Sequence, residues 1–240
     1  MATSDWKALA EDLRGILRLA TPPLAITFSD QRPDGVAAFD DPMASPAPDG
    51  RTGRVPAGCV FWIKAVDRTF STVPEDHGNC SVGRLTHGMA TMEDIAGNSD
   101  VGELLSSGWV SMDEVLAIPT LSTRPGAVTY GPLHETAVDP DVVLIRVNGH
   151  QMMVLSDAFP ALRVEGKPQC HIVAIAKEQG NVAASVGCAL SRARTGMRPE
   201  EMTCAIPAHQ LEGIVGKLQQ AAAIDSGVAR YAAQDARRFA

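Results

Sequence analysis

The chain has 240 residues, long enough to bury a substantial core without disulfide or metal staples. Hydrophobic residues make up 45% of it and charged residues 20%, which excludes a disordered chain or a coiled coil as a global description. Lys and Arg total 21 against 28 Asp and Glu, and the net charge of -7 has the wrong sign for a protein that binds nucleic acid.

The opening segment MATSDWKALAEDLRG is acidic and amphipathic. It lacks the basic and then apolar pattern of a secretion leader, and no later run approaches the roughly 18 apolar residues of a membrane helix. The expectation is a cytoplasmic protein with no membrane partner. In that compartment five cysteines, an odd number, point to buried thiols, metal ligands or redox groups, not to a disulfide framework.

Ser4 can cap a first helix whose apolar residues Trp6, Leu9, Leu13, Ile16 and Leu17 recur at three- and four-residue spacing, with Pro22-Pro23 as its stop. Leu24 to Phe28 has the length and residue types of a strand. From Gln31 to Gly58 five prolines and four glycines predict a long loop, of a length expected to be functional or mobile. The apolar run from Cys59 to Val66 reads as a helix, because Phe70 to Val73 beyond it reads as a strand. A polar turn, EDHGNC, follows Pro74. Ser99 and Ser111 each open a helix, the second through a capping box to Glu114.

From Gly126 onward AVTYGPL and VVLIRVN are two β-rich runs separated by the turn Asp139-Pro140-Asp141. A helix from Gln151 to Phe159, an apolar segment from Cys170 to Ala176, a strand from Glu200 to Ile206 and two C-terminal helices complete the chain. Pro207 is placed in the first turn of the first of these helices, with Leu211, Ile214, Val215 and Leu218 on one face. Strands and helices in this irregular order predict one α+β or mixed α/β domain over 1–240, not a doubly wound sheet.

An internal similarity accompanies this order. Cys59 heads an apolar run and Cys80 precedes Ser-Val-Gly; Cys170 heads another and Cys188 follows a second Ser-Val-Gly. Such a pseudo-twofold duplication would bring four thiols to one interface.

Taken in order, LATPPLAITF, a Cys in an apolar run, Asp-His-Gly-Asn-Cys with a glycine-bearing turn, Tyr-Gly-Pro-Leu, Pro-Asp-Val-Val, Gln-Met-Met-Val-Leu, Gly-Cys ahead of a basic residue, and Ile-Pro resemble the family called domain of unknown function 169, across residues 8 to 216. The resemblance implies a cytoplasmic prokaryotic α/β protein in which cysteines matching Cys59, Cys80 and Cys188 recur. Where many members read Cys-x-Gly and Cys-x-Gly-Asp-Arg, this chain has Cys80-Ser-Val-Gly83 and Cys188-Ala-Leu-Ser-Arg192, without the glycine and the acid beside the thiols. The resemblance supplies no reaction.

Thiolates bind soft or borderline metals, and three or four of them from separate segments favour zinc or an iron-sulfur cluster. The candidate ligands are Cys59, Cys80, Cys188 and His77, with Cys170 as a further cofactor-binding residue and His87 nearby; Cys204 is placed in the core. Of the neighbours Cys170 and His171, at most one can face a site, since successive helical residues diverge. Arg192 and Arg194 are candidates for a carboxylate or phosphate. Met89, Met92, Met112, Met152 and Met153 with Trp62 and Trp109 could wall an apolar cavity for haem. No dinucleotide-binding, Walker, nucleophile-elbow or zinc-protease motif is present.

The expectation is therefore an iron-sulfur redox or Lewis-acid enzyme acting on a small molecule, with Cys59, Cys80, Cys188 and His77 beside one pocket and the 31–58 loop at its mouth. The alternative is a non-catalytic carrier of a small ligand or haem, with structural cysteines. A homodimer is the expected assembly.

Overall fold

The computed structural model describes residues 4–239. Among these, the elements in chain order are α1 (Trp6–Leu17), β1 (Leu24–Ser29), α2 (Cys59–Lys64), β2 (Phe70–Thr72), α3 (Ser81–Thr86), α4 (Met92–Ile95), α5 (Ser99–Ser106), α6 (Met112–Leu116), β3 (Ala127–Pro132), β4 (Val142–Val147), α7 (Gly149–Ala158), β5 (Arg163–Glu165), α8 (His171–Gln179), β6 (Ala183–Ser185), α9 (Ala189–Thr195), β7 (Met202–Pro207) and α10 (Leu211–Ala236). A short 3-10 turn, Pro74–His77, joins β2 to α3.

The strands form one sheet in the order β2-β3-β1-β4-β7-β6-β5. Neighbours pair antiparallel except β5 and β6, which are parallel, so the sheet is mixed and the protein is mixed α/β. Both faces are covered, because the central strands are apolar at every second position on each side. Ala25, Val143, Ile145, Cys204 and Ile206 meet α1, α7 and α10. Leu24, Ile26, Val142, Leu144 and Ala205 meet α2 and α8, through Phe61, Trp62, Ile172, Val173 and Ile175. One sheet thus carries both cores of a single domain.

The β1–β4 pair stands near the centre of the sheet, with β3 and β2 beyond β1 and with β7, β6 and β5 beyond β4. Across this pair α2 packs on α9 and α3 on α8.

Several predicted boundaries move. Asp5, not Ser4, caps α1, its carboxylate accepting from the Ala8 amide at 3.0 Å. Arg18 ends that helix in the left-handed region, ahead of Pro22-Pro23. The two predicted C-terminal helices are one helix of 26 residues. Gly227 does not break it, since one interior glycine costs only about 1 kcal/mol. Pro207 closes β7 and does not start a helix. The strands β5 and β6, three residues each, are too short to leave a periodic signal.

The 31–58 loop is docked on the sheet. Ala38 bridges Ser71 beside β2, Arg54 pairs with Asp76 at 2.6 Å, and Arg51 pairs with Asp49 at 2.7 Å and with Asp100 at 3.3 Å. A Cβ on Gly78 would lie 1.9 Å from the Thr52 carbonyl oxygen, so glycine lets the loop backbone lie directly against the Pro74–His77 turn. Among the described residues no helix is long and apolar enough to cross a membrane.

A four-thiol cavity as candidate functional site

The N-terminal ends of four helices meet on the α2/α8 face of the sheet, and a cysteine stands at each. Cys59 is the first residue of α2, while Cys80, Cys170 and Cys188 hold the capping positions of α3, α8 and α9. All four line one cavity of about 40 Å³, together with His87, Trp109, Gln169 and Arg194. The packing of α2 on α9 and of α3 on α8 brings together thiols far apart in the chain.

Local geometry seats each sulfur over a helix start, where free amides favour a thiolate over a thiol. The Cys188 Sγ accepts from the Ser191 amide at 3.2 Å. A Cβ on Gly83 would lie 3.0 Å from the Cys80 sulfur, so the glycine leaves room for that sulfur against α3.

Burial opposes ionisation. It pushes the Cys59 thiol up to about 12, against a hydrogen bond from Ser191. It raises Cys170 well above the ordinary thiol range, reinforced by the neighbouring Cys80. Cys80 is raised too, although the Gly83 and Gly58 amides and the Arg194 guanidinium pull the other way. At neutral pH these three are thiols, and a bound soft cation is what would displace their protons. Among the described residues no three His, Cys, Asp or Glu side chains are gathered as a single metal ion would hold them.

The other predicted residues are dispersed. His77 is buried but does not line the cavity: its Nε2 is 2.9 Å from the Thr72 hydroxyl and its ring packs on Phe61 at 4.6 Å. It stands just behind the lining, against His87, whose ring centroid is 6.4 Å away, and against Gly58, on which a Cβ would lie 3.3 Å from the His77 Nδ1. His171 lies outside the lining, 3.5 Å from Glu165, while its neighbour Cys170 faces the cavity. Cys204 is fully buried among the residues that meet α1, α7 and α10.

The expected methionine wall does not form, since no methionine lines the cavity among the described residues: Met152 packs on the opposite face of the sheet, Met89 lies in the core beside α2 and α8, Met92 packs on the small cluster of Leu85, Ala90, Ile95 and Val101, and Met112 and Met153 are exposed. Of the two tryptophans, Trp109 lines the thiol cavity and Trp62 does not.

Sequence reasoning missed Gln169 and Tyr130. Gln169 donates to the Ser191 hydroxyl at 2.6 Å, and its own carbonyl oxygen is buried without a partner. Tyr130 lies in β3 with its ring stacked on Phe61 at 5.7 Å and its hydroxyl buried and unpartnered. Burial, with Cys170 and Cys59 nearby, raises the phenol. Tyr130 opens the Tyr-Gly-Pro-Leu motif and Gln169 precedes Cys170, but neither pattern by itself carries a chemistry that would single the residue out.

Comparison with curated proteins and with solved structures finds no match. The model of one family, DUF169, described as uncharacterised ArCR, matches residues 12–217, a span that holds all four thiols of the cavity. With most of its length matched and the motifs of that span in place around one sheet, the chain belongs to the DUF169 family.

Proposed function

We propose that the protein binds an iron-sulfur cluster in the four-thiol cavity and uses it in redox or Lewis-acid chemistry on a small molecule. One observation carries this reading: four cysteines from four separate helix starts line the same small cavity. Thiols that merely fill a core have no reason to collect at helix starts around one space. A cluster suits the four thiols better than a single zinc ion, since among the described residues no three donors are gathered as one ion would hold them, whereas an inorganic core spans sulfurs set further apart.

Cys59, Cys80 and Cys188 are the proposed ligands, with Cys170 as the fourth or as the neighbour of an open position; His77, a step behind His87, supports the site from outside it. When bound, the cluster would supply one-electron transfer or a Lewis-acidic iron. Trp109, Val82, Leu104 and Leu190 exclude water from the thiols. Five free cysteines suit the reducing cytoplasm, which is the proposed location.

The test is anaerobic reconstitution with ferrous iron and sulfide. The wild type is expected to retain iron and acid-labile sulfide and to turn brown, and Cys80→Ser with Cys188→Ser to lose both. A chain that stays colourless and iron-free, with an unchanged melting temperature, overturns the proposal. That result would leave the second reading, a carrier of a small apolar ligand with structural cysteines, which the hydrophobic walls of the cavity favour.

A further inference from the structure

Two arginines close to Cys188 have opposite fates. Arg192 is consumed within the fold, donating to the backbone carbonyls of Val186, Arg198 and Glu201. Arg194, one helical step on, has no carboxylate within salt-bridge distance among the described residues, and its Nη1 is buried without a hydrogen-bond partner. A guanidinium nitrogen buried without an acceptor is costly, and a planar carboxylate is the acceptor that paired guanidinium donors match.

Its position adds the second observation. Arg194 lines the thiol cavity and also an open basin of about 330 Å³ on the surface beside it, the only residue shared by these two spaces. The basin's other cations are already neutralised, Arg51 by Asp49 and Asp100 and Arg54 by Asp76. The one acid in its wall, Asp100, is held by Arg51 and by the Ser81 amide and hydroxyl. Among the described residues one cation without a carboxylate partner, Arg194, therefore stands between the basin and the thiols.

We infer that Arg194 is the anchor for a small carboxylate substrate, which enters through the basin and turns its other end toward the four-thiol cavity. The inference deepens the reading above and rests on it for what the thiols hold. A single unpaired guanidinium balances one negative charge, so a monocarboxylate suits it better than phosphate, whose second charge would find no further free cation in the basin.

The experiment titrates the full chain with butyrate, with butyramide as the uncharged isostere and with inorganic phosphate, following by NMR the backbone amide signal of Asn79 in the basin wall, which wild type and variants share, before and after iron-sulfide reconstitution. Butyrate is expected to saturate that signal, with butyramide and the Arg194→Gln variant about tenfold weaker or worse and Arg194→Lys between them. Arg124→Gln, on an exposed pair with Asp94, is expected to bind as the wild type does. Equal butyrate binding by wild type and Arg194→Gln, tighter binding of phosphate than butyrate, or no saturable shift overturns the inference. The two readings fail separately: an iron-free chain that still binds butyrate through Arg194 keeps the anchor and loses the cluster. A fully iron-loaded chain without Arg194-dependent binding does the reverse.

Discussion

His87 is fully buried beside the thiols, with both ring nitrogens lacking partners, and burial lowers its pKa to about 4. His77 is shifted the same way by burial, with His87 and Arg84 adding to it. A histidine that stays neutral in the fold but takes a proton when unfolded makes stability rise with pH between the two pKa values. The His87 contribution is therefore complete above about pH 6.5 and lost as pH falls toward 4, amounting to about 3 kcal/mol. Urea midpoints measured at about pH 4.5 and 7.5 are expected to differ in the wild type and to differ less in His87→Leu, where the His77 contribution remains but nothing protonates at position 87. In the sequence this residue was marked only by its place seven positions after Cys80; that it has lost its water depends on packing.

Between elements, Gln151 ties two helices together. Its carbonyl oxygen accepts from the Asn148 amide at 2.8 Å, completing the capping box of α7. Its amide donates to the Leu17 and Arg18 carbonyls at 2.8 and 3.1 Å, closing the end of α1. Gln151→Ala strips both helix ends at a buried position and is expected to cost about 2 kcal/mol, read as a lower urea midpoint at unchanged slope. Gln151→Glu keeps the cap but sets a carboxylate against two carbonyls, so it is expected to be no better than alanine at pH 7 and to recover part of the loss in acid. The box itself was open to reading from Asn148 and Gln151, as that of α6 was from Ser111 and Glu114. The link to α1 was not, because Leu17 and Gln151 are neighbours only after folding.

For the whole molecule, α10 carries the surface with most consequence. Its buried residues end at Ala221, and beyond them Ile224, Val228 and Tyr231 are each more than 60% exposed at four- and three-residue spacing on one side. A homodimer, the assembly expected of the chain, would bury this stripe against a second copy, in the manner of paired amphipathic helices. Light scattering is expected to give twice the chain mass for the wild type and the monomer mass for Ile224→Asp combined with Tyr231→Asp. Both side chains lie outside the core, so the melting of the monomer should change little. A monomeric wild type overturns the homodimer expectation.

The sequence alone determined that the chain is a single mixed α/β domain, where most strands and helices lie, that α2 begins at Cys59, and that 31–58 is a loop. These follow from local periodicity, capping residues and proline, which act within a few positions of the chain. It also marked Cys59, Cys80, Cys170 and Cys188 as a set. Only the tertiary structure decided that these four share one cavity, that His77 turns to Thr72 instead, that the methionines scatter and that Arg194 is left unpaired while Arg192 is spent. Each of these depends on which helix packs against which across the sheet, and on the water that packing removes; neither is encoded in the spacing of any one segment.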